Sequence, residues 1–221
     1  MPDWAAPVDI YCERTDPSFW AEPVNALTNA AFLFAAAAAL WRWRAVGGRD
    51  LPVLLLIAVT FAVGLGSFAF HTLATRGASL LDVIPIAVFI YGYLYLALRR
   101  FLALPAGLAL AILAAFALGS FGLDAVLPAR FLNGSGSYLP ALGAMAVIGA
   151  LARQTQAGRV VLAAAGLFVV SITFRSADQA ICAAFPLGTH FLWHGLNAAV
   201  LYLLLHAAIV ARPQTEIRAR T

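Results

Sequence analysis

At 221 residues, 63% hydrophobic, 11% charged and with a mean hydropathy of +0.89, the chain is unlike a soluble domain, whose charged fraction is nearer a quarter. Its net charge of +4 comes from fourteen basic residues, all Arg, set singly or in pairs along the chain. With no basic patch, nucleic acid is excluded as a partner, and lipid is the solvent to expect.

Residues 1–23 are polar and acidic, with Asp3, Asp9, Glu13, Asp16 and Glu22. They lack the basic-then-apolar order of a cleaved signal peptide, so the segment is predicted to be kept as an extracytoplasmic lead. Runs without a charged residue follow at about 24–41, 51–70, 83–98, 101–121, 131–152, 160–174 and 187–211. Most approach the length that spans about 30 Å of hydrocarbon, which predicts an all-α bundle of seven transmembrane helices over 24–211 and a cytoplasmic tail at 212–221. The sixth run is the shortest, fifteen residues between Arg159 and Arg175, and needs its terminal arginines to reach the interface. Turn signals separate the runs at Gly47-Gly48, Arg76-Gly77, Pro105, Asn133-Gly134-Ser135-Gly136 and Pro186.

Ionisable groups are expensive inside a bilayer and usually mark function, which singles out His71, Asp82, His190 and His194. In a seven-span topology these fall at one depth, near the outer face. Ser67 and His71 are four residues apart, as are His190 and His194, so each pair shares a helix face. Three neutral imidazoles are the ligand set of a catalytic zinc with an open position, and zinc lowers the pKa of the water it binds to about 7. Asp82 suits a general base or the support of a ligand histidine. His206, farther along the last run, is read as structural.

Three blocks carry a family resemblance. The first is Asp9-Ile10-Tyr11-Cys12-Glu13 with Trp20-Ala21-Glu22-Pro23-Val24-Asn25-Ala26-Leu27-Thr28-Asn29. The second is Gly64-Leu65-Gly66-Ser67-Phe68-Ala69-Phe70-His71-Thr72-Leu73, with Asp82 eleven residues after His71 and Pro85 beyond. The third is Arg175-Ser176-Ala177-Asp178, Cys182, and His190-Phe191-Leu192-Trp193-His194. In that order they resemble the alkaline ceramidases, within a superfamily of seven-helix hydrolases that includes the adiponectin-receptor-like proteins.

The resemblance implies that His71, His190 and His194 hold zinc and that Ser67 and Asp82 flank the reacting water, with Ser67 helping to stabilise the oxyanion. It also implies a ceramide-like N-acyl sphingoid substrate, cleaved to a fatty acid and a free amine. An uncharged amide agrees with the lack of a cationic substrate clamp in this reading, and Trp193 is read as a cavity wall or an interface anchor. The acidic segment is similar to a regulatory calcium site, with Asp9, Glu13 and Glu22 as carboxylates and Asn25 nearby. It departs from the pattern in the extra Tyr11 and in Thr15 where Asn is expected, with Asp16 a substitute; a solvated acidic tail is the alternative. Cys12 and Cys182 are candidates for a disulfide, against two separate buried thiols. Rival readings of the whole are a receptor or scaffold with a structural metal, and a haem protein using His71 and a last-helix histidine. The sequence does not distinguish ceramide from phytoceramide or N-acyl-ethanolamine.

Ten arginines (42, 44, 49, 99, 100, 153, 159, 212, 218, 220) fall in connectors on one side and four (14, 76, 130, 175) on the other. The positive-inside rule then places the N-terminus outside and the C-terminus in the cytoplasm. Cysteines introduced beside Arg99 should resist impermeant reagents applied to intact cells; labelling from outside would reverse the topology.

Overall fold

The computed structural model describes residues 3–128 and 130–211. The predicted tail, with Arg212, Arg218 and Arg220, lies outside the described residues. Among the described residues, seven helices are long and apolar enough to cross a membrane: α1 (Pro23–Ala45), α2 (Leu51–Leu73), α3 (Arg76–Arg100), α4 (Ala106–Val126), α5 (Phe131–Leu151), α6 (Gln156–Ile181) and α7 (His190–Val210). Among the described residues there is no strand, only an isolated bridge between Pro7 and Thr75. The protein is a multi-pass integral membrane protein, and its outer surface reads accordingly. Phe34, Trp41, Leu118, Phe121 and Val126 are all exposed, while Asn25, Asn29, Thr60, Ser171 and Asp178 are buried. Apolar side chains face lipid at no cost, whereas polar ones must find partners inside.

The helices depart from the charge-free runs in several places, two of them where the bundle accommodates a charge. The third run, 83–98, becomes the 25-residue α3, which takes in Asp82 two turns after its start. The sixth, 160–174, becomes the 26-residue α6 and runs past Arg175, which therefore lies in a helix and not in a loop. The fourth is shifted, because Pro105 caps α4 and leaves 101–104 as connector. The predicted turn at Asn133–Gly136 falls in a segment with 3₁₀ hydrogen bonding, Phe131–Tyr138, that leads into α5 and breaks helical geometry at left-handed Leu132, Asn133 and Gly134.

Around the bundle, α2 packs on α3, α1 on α2 and α7, and α6 on α5 and α7. Only 6% of the apolar stretch of α4 is buried, so this helix leans on the others from the lipid side. At the arginine-rich end, Asp50 caps α2 and receives Arg100 at 2.7 and 3.1 Å, and Arg100 also donates to the Ala208 carbonyl of α7. That bidentate pair joins three helix ends. At the opposite end the N-terminal segment crosses the α2–α3 turn, with Val8 N–H on the Ala74 carbonyl at 2.8 Å and Arg76 N–H on Ala6 at 3.0 Å.

The crossing of α2 and α3 sets the depth of the polar residues. Pro85 has no N–H, so the Leu81 carbonyl one turn earlier lacks its helical donor. Gly66 of α2 lies against that carbonyl, where any Cβ would collide with it. The contact brings the next residues, Ser67 and Asp82, to one cavity wall. Gly66→Ala should cost about 1–3 kcal/mol, the usual range for overpacking, seen as a lower unfolding temperature in detergent. Gly143→Ala, where a Cβ meets nothing within 4 Å, should be close to neutral.

Candidate metal centre

His71 closes the last turns of α2, His190 opens α7, and His194 follows one turn later. All three are fully buried, and one ligand nitrogen from each lies within 4.8 Å of the others. Each ring leaves one buried nitrogen without a partner: Nε2 of His71, Nε2 of His194 and Nδ1 of His190. Such orphans are costly in an apolar interior, and a shared metal ion satisfies all three at once. The trio therefore fits a metal ion, and a donor set of neutral imidazoles suits zinc. The ring centroids stand 4.6 to 5.2 Å apart, which leaves no slot for a macrocycle between two of them and removes the haem reading.

In His71 and His194 the opposite ring nitrogen is held by the chain. His71 Nδ1 lies 2.6 Å from Glu22 Oε2, and His194 Nδ1 lies 2.9 Å from Thr28 Oγ1, which itself donates to the Val24 carbonyl at 2.7 Å. With its hydrogen committed to Val24, Thr28 accepts from His194, so Nδ1 carries the proton and Nε2 is free for a metal. Burial favours the neutral Glu22 carboxyl, but the His71 and Arg14 hydrogen bonds and charges outweigh it and hold the group below the usual carboxylate range. His190 is fixed through its backbone. Asp178, fully buried on α6, accepts from Thr189 N–H at 2.7 Å and His190 N–H at 2.9 Å, capping the start of α7. Gly188 makes this possible: its φ is +66°, and a Cβ there would strike the Asp178 carboxylate.

A cavity of about 220 Å³ opens beside the histidines, lined among others by Tyr11, Ser67, Asp82, Arg175 and Trp193. Tyr11 stacks on His190 with centroids 3.7 Å apart, so the residue that interrupts the sequence motif roofs the centre. Burial pushes its phenol up and keeps it neutral. Trp193 is a cavity wall and not an interface anchor, being buried against Tyr138 and Phe168. Arg175 corrects the expectation that the site has no cation. Its guanidinium lies over Tyr138 and Trp193 at 5.4 and 5.6 Å and donates to the Asn133 carbonyl at 3.0 Å and to Ser135 Oγ at 2.9 Å. The sequence signal is an arginine that ends an apolar run one turn before Asp178, a pattern that a loop shares.

A disulfide joins Cys12 to Cys182, and Cys12 N–H also reaches Asp178 at 3.1 Å, so the N-terminal segment is tied down over the cavity. Among the proposed calcium carboxylates, Asp9 is exposed and Glu13 accepts the Val24 and Asn25 N–H groups at 2.7 Å each. Glu22 faces His71. His206 stacks on Tyr202, away from the trio. Because partners that orient a ligand histidine typically carry 10–100-fold in metal affinity, Glu22→Gln should bind metal weaker by about that factor in a chelator-competition titration.

Comparison with curated proteins gives no match. The family model described as Ceramidase, in contrast, matches residues 11–221, from the tyrosine over the histidines through all seven helices. With the site and the bundle both inside that span, the chain belongs to the ceramidase family, whose hydrolases act on amide bonds.

Proposed function

We propose that the chain is a zinc-dependent membrane amidase that hydrolyses ceramide-like N-acyl sphingoid lipids to a fatty acid and a free sphingoid base. The observation that carries this reading is the cluster of three orphaned imidazole nitrogens, two of whose rings, His190 and His194, line a cavity that shares walls with an apolar one. Ile86 and Tyr138 line both that cavity and a narrow apolar one deeper in the bundle, whose walls include Phe89, Met145, Phe168 and Leu201. An acyl chain would lie there with its amide at the histidines.

Zinc, when bound, supplies a Lewis acid that polarises a carbonyl and acidifies water. Asp82 takes the proton of the attacking water and delivers it to the amine nitrogen as the carbon–nitrogen bond breaks. Ser67 donates a hydrogen bond to the oxygen that gains charge, and the Arg175 cation beside the same cavity favours that charge and the carboxylate product. Tyr11 and Trp193 keep bulk water out. The deep cavity is too slender for a long chain as it stands. Phe116 on the little-buried α4 lines it, so α4 is the wall that yields to a lipid entering from the side. With the N-terminus outside, entry is from the outer leaflet.

Zinc content by elemental analysis, measured beside amine release from a panel of lipid amides, tests the assignment. His190→Ala and His194→Ala should lose most of the zinc and the turnover. Asp82→Asn should keep zinc and lose roughly 10²-fold or more in rate, the usual scale for a positioned base, with Ser67→Ala between. Full zinc and full activity in His194→Ala would overturn the site; zinc lost with Asp82→Asn would make Asp82 a ligand or its support. Metal retained by the wild-type protein without cleavage of any lipid amide would point to a receptor or scaffold.

A further inference from the structure

We infer that the Arg14 guanidinium takes the position of the divalent cation implied for the acidic segment, so that the segment's grip on His71 is built into the chain and independent of calcium. Calcium seeks six to eight oxygens at 2.3–2.6 Å, drawn from carboxylates, carbonyls and water. Here the oxygens of both buried carboxylates are already taken by N–H donors of the protein, which leaves Asn25 Oδ1 as an unpartnered side-chain oxygen, far short of such a shell. Glu22 Oε1 accepts from Arg14 Nε at 2.5 Å, and Oε2 from His71 Nδ1 at 2.6 Å and Asn25 Nδ2 at 3.2 Å. Both Glu13 oxygens are on the α1 N–H groups, and Asp9 is exposed. The carboxylates therefore do not fit a calcium ion.

What Arg14 touches is an oxygen shell of the kind a cation would have. Besides Glu22, its Nη1 donates to the Asp16 carbonyl at 3.1 Å and the Ser18 carbonyl at 3.4 Å, and its Nη2 to the His71 carbonyl at 3.0 Å. The residue is 8% exposed, and its charge is permanent. Five N–H donors in a planar fork gather one carboxylate and three carbonyls from two parts of the chain, wrapping residues 14–18 around the end of α2. A tethered cation has no binding equilibrium and no concentration dependence. Arg14 is thus a positioning residue: it holds Glu22 charged and in place, and Glu22 orients His71.

The activity arm of the test rests on the amidase reading, while the unfolding and metal arms do not, so the two fail separately. Zinc-loaded wild-type protein in detergent is titrated with calcium from a calcium-free buffer to a few millimolar, following unfolding temperature, zinc content and amine release. All three should stay constant. Arg14→Ala should unfold at lower temperature and retain less zinc, with calcium restoring part of both, and Arg14→Lys should fall between.

A wild-type unfolding temperature that rises with calcium would overturn the proposal. So would an Arg14→Ala protein with wild-type stability and zinc, and a destabilised one that ignores calcium would refute the shell as a cation site. Should Arg14→Ala not fold, terbium luminescence of the wild-type protein decides: emission that calcium competes away would overturn the proposal, and its absence is expected.

Discussion

Glu22 sits where three parts of the chain meet. Its carboxylate receives the Arg14 guanidinium from the N-terminal segment, the Asn25 amide from α1 and the His71 ring from α2. A lone carboxylate buried near hydrocarbon would be neutralised or expelled; this one persists as an anion because a permanent cation and a ring N–H face it. Without Arg14 the carboxylate would keep the Asn25 and His71 hydrogen bonds but lose its permanent countercharge. The candidate metal site inherits that constraint, since the His71 ring nitrogen that a metal would need is free only while the opposite nitrogen is committed to Glu22.

The same rule organises the rest of the polar interior. Thr28 commits Nδ1 of His194, Asp178 takes the backbone N–H groups at the start of α7, and the Asn133 carbonyl and Ser135 receive Arg175. Each of these groups lies at one end of the bundle, under an N-terminal segment pinned by the Cys12–Cys182 disulfide and roofed by Tyr11. A covered, buried site strengthens every charge interaction within it, which is what amide hydrolysis asks of its surroundings. The loosely held α4 answers the opposite need. On the proposed function a lipid substrate would enter from the membrane, and the helix with the least buried surface is the one whose displacement disturbs the fewest contacts.

Seven spans, the all-helical class and the three histidines at one level were legible in the sequence. Hydropathy is a local sum over side chains, and a histidine in an apolar run stands out however the chain folds. The family resemblance was carried by motif order in the same way. Span limits failed where charge was taken as a stop: Asp82 and Arg175 lie inside α3 and α6 because the bundle supplies each with a polar cavity or partners, which a one-dimensional count does not see.

Only the tertiary structure decided which polar residue serves which. Glu22 was grouped with Asp9 and Glu13 by charge and proximity in sequence, yet its oxygens turn to His71 and Arg14 across 49 and 8 residues. Asp178 carried no role until Gly188 and the α6–α7 connection brought the start of α7 onto its carboxylate. Tyr11 was an irregularity in a motif until it lay on His190. Residue type and depth follow from composition along the chain, but the pairing of buried donors with acceptors depends on distances between separate helices. Those distances are set by contacts such as Gly66 against Leu81, where the absence of one side chain lets two backbones meet.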